Sequence, residues 1–256
     1  MKHILAPAQR EILAQLAFSN VLLGFDFDGT LAPIVADPAR AAMRATTRRL
    51  FAGLCECYPC VVISGRSLAD LGPRLEGVAL RAAIGNHGLE PWRASPSLRR
   101  LVARWKLSLS ATVAQLPGVE LEDKTFSLAL HLRRSRSKKA ARVALEAAIE
   151  RLGPVRIVGG KQVINVLPEE APHKGLALER ERRHAGCDTA FFLGDDTTDE
   201  DVFAMSRPGF LFSVRVGAVQ GSHAAYCLKS QREVDVLLKR LLDLRRDAGV
   251  LRSKAR

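Results

Sequence analysis

The chain is poor in aromatic residues: two tryptophans, two tyrosines and ten phenylalanines make up 5% of its 256 residues. Proteins that grip single-stranded nucleic acid stack the bases on rows of aromatic side chains, so no such platform is expected. Nowhere does the chain hold a run of about eighteen apolar residues, and a membrane-spanning helix is therefore not expected. Met1 to Ala17 carries Arg10 and Glu11 inside its apolar pattern, which breaks the core that a secretory leader requires. The five cysteines are an odd number and argue against a disulfide framework. Cys55, Cys57 and Cys60 cluster, but no second Cys or His pair at zinc-like spacing completes them. Reduced thiols and a cytoplasmic location are the expectation. Acidic residues are also short, 27 against 39 lysines and arginines, for a net charge of +12. The densest basic runs, Arg133 to Lys139 and Lys239 to Arg256, are not interleaved with aromatics. Most of the charge therefore reads as solvated surface, and a nucleic-acid partner is not expected.

A hydrophobic content of 47% is enough for a packed core, in one large domain or two small ones. Val21 to Phe27 reads as a buried strand, Cys60 to Ile63 as a second and Leu80 to Ile84 as a third. Each is followed by a polar turn and the first two by helical patterns, Ala39 to Cys55 and from Ser67. That alternation predicts right-handed parallel crossovers. From Pro91 the rhythm changes. Leu98 to Gln115 and Lys138 to Leu152 have helical periodicity, Phe126 to Leu132 alternates as a strand, and Val155 to Val158 and Gln162 to Leu167 flank a Gly159-Gly160 hairpin signal. The strand-and-helix rhythm resumes with a helix from Lys174, a strand over Thr189 to Leu193, a short helix over Val202 to Met205, strands over Gly209 to Val214 and Ala225 to Leu228, and a closing helix over Val234 to Leu244. The expected fold is α/β: a Rossmann-like parallel-sheet core, residues 1–90 and 172–256, interrupted by an α+β module over 91–171.

Polar groups gather at the expected strand ends. Asp26 and Asp28 lie two apart, so they share a face if the strand continues that far. Two carboxylates so close repel, and a bound cation or a raised pKa would relieve them. A solvated Asp-Gly surface turn is the plainer alternative at this point. Ser64 ends the second strand, and Asp195, Asp196 and Asp199 follow the strand at Thr189, with Lys174 before it. Strand ends of one parallel sheet converge, so these groups can share a crevice. Carboxylates, a hydroxyl and a lysine with Mg²⁺ make a set suited to phosphoryl transfer, and the lack of His and Cys among them counts against zinc. His173 adjoins Lys174 but is discounted as a base, since adjacent residues rarely face one site.

Asp26-Phe27-Asp28-Gly29-Thr30-Leu31, Ser64-Gly65-Arg66, Lys174 and Gly194-Asp195-Asp196-Thr197-Thr198-Asp199-Glu200-Asp201 together resemble the haloacid dehalogenase superfamily of phosphatases. Ile63 to Leu71 and Gly85-Asn86-His87-Gly88-Leu89-Glu90 resemble its trehalose-6-phosphate phosphatase branch, and the similarity runs from about Val21 to Leu241. The resemblance implies that Asp26 is the nucleophile, and that Asp28 is first the acid and then the base. It implies Ser64, Gly65 and Lys174 as phosphate ligands, and Mg²⁺ held by the side chains of Asp26 and Asp195 and the backbone carbonyl of Asp28, with Asp196 and Asp199 supporting the metal and orienting Lys174. It further implies that the inserted module is a cap over the sugar, with Arg66, His87, Glu122, Lys124 and Asn165 meeting the substrate. Asp123 belongs to the same Glu-x-Lys stretch, and His131-Leu132-Arg133 stands where the family often has His-Tyr-Arg. Asn165 stands where the family usually has a third sugar-binding glutamate. Asparagine both donates and accepts and carries no charge. The expected reaction is hydrolysis of a disaccharide phosphate, first trehalose 6-phosphate, with glucosylglycerol phosphate, mannosylglycerate phosphate and sucrose 6-phosphate as alternatives. A monomer with a sugar-phosphate substrate and no membrane partner is the expectation.

Overall fold

The computed structural model describes residues 1–160 and 162–254. The last two residues of the basic tail, 255 and 256, lie outside them. In chain order come β1 (Lys2–His3), α1 (Arg10–Phe18), β2 (Val21–Phe25), α2 (Ala45–Cys57), β3 (Cys60–Ile63), α3 (Leu68–Leu75) and β4 (Ala82–Ile84). There follow α4 (Pro96–Ala114), β5 (Glu120–Asp123), β6 (Leu128–His131), α5 (Lys138–Glu150), β7 (Val155–Gly160) and β8 (Val163–Pro168). The chain ends with α6 (Lys174–His184), β9 (Thr189–Gly194), α7 (Glu200–Phe203), β10 (Leu211–Val216), β11 (Tyr226–Leu228) and α8 (Arg232–Lys254).

Two sheets result. The larger has seven strands in the order β1-β11-β10-β9-β2-β3-β4, and every pairing in it is parallel. A parallel sheet is covered on both faces, which is why Val21 to Phe25 is an unbroken apolar run. Leu23, Phe25, Val62, Phe191 and Leu193 pack on one side against Leu13, Phe51, Leu54 and Leu237 of α1, α2 and α8. Their neighbours Leu22, Val61, Ile63 and Phe192 pack on the other side against Ala177 and Leu178 of α6. The chain runs outward from β2 to β3 and β4, then returns to start β9 against the opposite edge of β2. The order therefore reverses between β2 and β9. In open α/β sheets that reversal opens a crevice beyond the carboxyl ends of the strands.

The smaller sheet, β5-β6-β8-β7, is wholly antiparallel. One face packs Leu128, Leu130, Ile164 and Val166 against Val102, Trp105 and Leu109 of α4 and Leu145 and Ile149 of α5. Residues alternate across the pleat, so the opposite face carries Glu122, Ala129, Asn165 and Val158 in one row, each paired with the next in register. Strand β5 is not legible in the sequence. It is an edge strand, largely exposed, with three acidic residues among its four, and charge of this kind protects an edge from further pairing. Two other boundaries differ from expectation. Helix α2 starts at Ala45 because Pro38–Arg40 forms a separate 3-10 turn, and β2 stops at Phe25, before either aspartate. Among the described residues no helix is long and apolar enough to cross a membrane, and the five cysteines are free.

Candidate active site

Asp26 is the first residue past β2, and its backbone N–H still donates to Leu193 of β9 at 2.9 Å. This places it at the reversal point, where its side chain is buried. Lys174 opens α6 and is only 1% exposed. Its Nζ lies 2.9 Å from Asp26 and 2.8 Å from Asp199. The second oxygen of Asp199 accepts the backbone N–H of Asp196 at 2.9 Å, so that carboxylate is held at both ends. Carboxylate oxygens of Asp26, Asp195 and Asp199 all lie within 4.8 Å of one another.

Burial pushes the Asp26 carboxyl well above the usual carboxylate range, and the charges of Asp199 and Asp195 add to the rise against the pull of Lys174. Burial alone would lower the Lys174 pKa, but Asp199 and Asp26 overcome it and hold the ammonium above the ordinary lysine range. One ammonium faces a triad of acids. Oxygen donors alone, close together and outnumbering the one ammonium beside them, are the donor set that a hard divalent cation takes, and the residues present fit Mg²⁺.

Asp195 is also fenced by backbone. Gly29 has φ +80°, and a Cβ there would stand 2.2 Å from an Asp195 carboxylate oxygen. Gly29→Ala should therefore lower stability by at least about 1–2 kcal/mol from backbone conformation alone. It should also drive Asp195 out of the acid group, which urea unfolding and cation titration would register.

The loop after β3 forms the next wall. Ser64 is buried, and its Oγ accepts the backbone N–H of Arg66 at 3.2 Å. The Arg66 guanidinium holds both oxygens of Asp28, at 2.6 and 2.7 Å, and also bonds Asp70. Asp70 is in turn held by Arg74 at 2.8 Å. Asp28 thus belongs to Arg66, and β2 does not extend far enough to set it beside Asp26 on one strand face. The pairing of the Asp28 side chain leaves its backbone carbonyl, the atom expected to meet the metal, untouched. The acid group is Asp26, Asp195 and Asp199, without the side chains of Asp28 and Asp196. The Asp28 carboxylate is held by the guanidinium, and Asp196 is the N-cap residue of the turn Thr197–Asp199, its carbonyl accepting the Asp199 N–H at 3.2 Å. Orientation of Lys174 falls to Asp199 and Asp26.

The polar face of the smaller sheet closes the cleft. Lys124 donates to the Gly65 carbonyl at 2.9 Å and to Asn165 Oδ1 at 3.4 Å. Burial lowers its pKa, partly offset by Glu122. Burial would raise Glu122, but its 2.7 Å bond to His131 and the charge of Lys124 hold it below the usual range. Asn165 Nδ2 donates to the Val158 carbonyl at 3.2 Å. His87 packs against Gly65 with a left-handed backbone, φ 58°. Burial and the charges of Lys124 and Lys174 push its pKa well down, against a hydrogen bond with Asn165 that raises it. His173 caps α6, its Nδ1 accepting from the Gly175 N–H at 3.2 Å.

A cleft of about 270 Å³ is lined by Asp26, Asp28, Ser64, Gly65, Arg66, His87, Glu122, Lys124, Asn165, Lys174, Asp195 and Asp196, while Asp199, also expected from the sequence, lies behind them against Lys174. It also touches Asp70, His131 and Arg133. Asp70 carried no signal of its own, since an acid near a helix start reads as a cap. Arg133 spans from β6 to the loop after β2, donating to the Ala36 carbonyl at 2.5 Å. The His131-Leu132-Arg133 stretch marked the residue in the sequence, but not this partner.

A sequence profile of the trehalose-phosphatase family matches residues 24–232. Over 226 residues, 80% of the chain, it is 35% identical to a trehalose-phosphate phosphatase of Mycobacterium avium (strain 104), and the match covers 54% of that protein. A protein of Arabidopsis thaliana described as probable trehalose-phosphate phosphatase E is 27% identical over 91% of the chain and 73% of its own length. The chain thus spans about half the length of the mycobacterial relative. In fold it is similar to the C-terminal domain of a C. albicans trehalose-6-phosphate phosphatase, with a TM-score of 0.76 and 24% identity over 92% of this chain and 97% of that one.

Proposed function

The chain belongs to the trehalose-phosphatase family, and from that premise we propose that it is a Mg²⁺-dependent phosphatase of a disaccharide phosphate, trehalose 6-phosphate before others. The observation that carries this reading is a buried Asp26 at the reversal point of the parallel sheet, in contact with Lys174 and grouped with Asp195 and Asp199. Asp26, Asp195 and Asp199 would hold the cation, which when bound neutralises charge on the phosphoryl oxygens and lets an anionic nucleophile approach them.

In the proposed reaction a carboxylate oxygen of Asp26 attacks phosphorus, and the bond from phosphorus to the sugar oxygen breaks. Asp28 gives a proton to that oxygen. Water then attacks the phosphorus of the aspartyl-phosphate, Asp28 takes the proton, and phosphate leaves with Asp26 restored. For Asp28 to serve, the Arg66 fork must release one of its oxygens. The incoming phosphate offers that guanidinium an equivalent anion. Ser64, the Gly65 backbone and Lys174 bind the phosphoryl oxygens. Uncatalysed monoester hydrolysis is slow enough that enhancements of up to ~10²¹ are on record, and dividing it in two spreads that barrier.

Residues 91–171 are assigned to the sugar, because the polar row of the smaller sheet faces the cleft beyond the phosphate groups. Discrimination must come from groups that meet hydroxyls, and such sites reject analogues lacking them by ~10⁴-fold in favourable cases. Glu122→Ala and Lys124→Ala should cripple turnover of the disaccharide phosphate and barely change that of a small aryl phosphate. Equal losses on both substrates would end the cap assignment. Asn165 favours a second reading, another glycosyl phosphate, because it supports Lys124 without charge. Phosphate release measured across trehalose, sucrose, glucosylglycerol and mannosylglycerate phosphates decides between them. Asn165→Glu should raise trehalose 6-phosphate turnover on the first reading and lower it on the second. No phosphate release from any of them would overturn both.

A further inference from the structure

Arg215 is the one charged residue of β10, and neither phosphate nor sugar accounts for it. It sits on β10 in register with Gly194, the last residue of β9, and is 5% exposed. Buried arginine is rare unless its charge and donors are used. Here Nη2 donates to the Asp195 carbonyl at 2.6 Å, and Nη1 donates to the Asp196 carbonyl at 3.1 Å and to Glu200 Oε1 at 2.6 Å. Glu200 is fixed in turn, its other oxygen accepting the backbone N–H of His223 at 2.9 Å. The guanidinium therefore grips the main chain of two successive residues behind the turn whose side chains face the cleft. Its rigid fork suits that grip, whereas an ammonium would satisfy one carbonyl at a time. The Asp195 side chain is approached from the opposite side by Thr30 Oγ1, at 3.4 Å, and by the Gly29 backbone.

The geometry points to Arg215 as a positioning residue for the cation: it holds the Asp195–Asp196 backbone so that the Asp195 carboxylate stays within the acid group, and Glu200 holds Arg215. This inference rests on the reading of Asp26, Asp195 and Asp199 as a divalent-cation site. Groups that orient metal ligands from behind are worth ~10–100-fold in metal affinity.

The test is a titration of the whole protein with Mn²⁺, followed by the electron paramagnetic resonance of the free ion, with no substrate present. Wild type should bind one ion. Arg215→Met should raise its Kd by about 10–100-fold, and Arg215→Lys should recover part of the loss. Glu200→Gln keeps the guanidinium and frees its anchor, so it should raise Kd by a smaller factor and serves if Arg215→Met fails to fold. If wild type binds no Mn²⁺, the cation reading falls and takes this inference with it. If wild type binds and Arg215→Met or Glu200→Gln binds equally well, the inference alone is overturned. It is overturned too if Arg215→Lys binds as poorly as Arg215→Met while both melt as wild type does, because the shared charge and donor would then count for nothing.

Discussion

Asp26→Asn is expected to lower kcat by at least ~10⁴-fold, because residues that act as a catalytic unit fail together when one is lost. The amide is nearly the size of the carboxylate but has no anionic oxygen to give to phosphorus. The surroundings make the same change harmless to the fold. Asp26 is buried among acids that raise its pKa, so its charge is held at a cost in the cation-free protein. Removing that charge relieves repulsion from Asp195 and Asp199, although it also loses the 2.9 Å contact with Lys174. The cation-free variant should therefore unfold in urea no earlier than wild type, as is usual where activity requires like charges to be held together. Single-turnover phosphate release and a urea melt of the same preparation check both halves. Activity above about a hundredth of wild type, with its Mg²⁺ dependence intact, would rule out Asp26 as the nucleophile.

Lys174→Met should do the opposite to stability. The ammonium is the one cation in contact with Asp26 and Asp199 among the described residues, and it lies almost wholly out of water. Taking away one partner of a buried pair leaves uncompensated charge and costs about 3–5 kcal/mol. That loss should be largest in the absence of divalent cations. Added Mg²⁺ should then restore more stability to the variant than it adds to wild type, since a ligand that binds only the folded state stabilises it by mass action. Turnover should fall by ~10²–10³-fold even at saturating Mg²⁺, the usual effect of removing one group aimed at developing charge. A melt that is unchanged without Mg²⁺ would overturn the reading of Lys174 as the charge partner of Asp26 and Asp199. Combining Lys174→Met with Asp26→Asn should destabilise less than the sum of the two, because the groups share partners.

Much of the core was legible because its signals are local. The apolar run over β2, the strand Cys60–Ile63 and the start of α6 at Lys174 need only a few neighbouring residues to be recognised. β5 was not legible, because an exposed edge strand has few apolar residues to repeat. The role of Arg215 was not legible either. Its setting in Ser213-Val214-Arg215-Val216 marks it as unusual, but nothing nearby in the chain names its partners.

The order of residues by itself determined which groups stand at strand ends, that a second α+β unit interrupts the first, and which family the motifs resemble. It did so because side-chain alternation, turn residues and short motifs are properties of adjacent positions. Only the tertiary structure decided how the acids divide. Asp28 is near Asp26 in sequence, yet its carboxylate is paired with Arg66. The carboxylate of Asp199, four residues beyond Asp195, gathers with those of Asp26 and Asp195. That outcome depends on charges brought together from β2, β3, α6 and β9. The Coulomb energy that sorts them depends on distance through space and on burial, neither of which is written in the spacing along the chain.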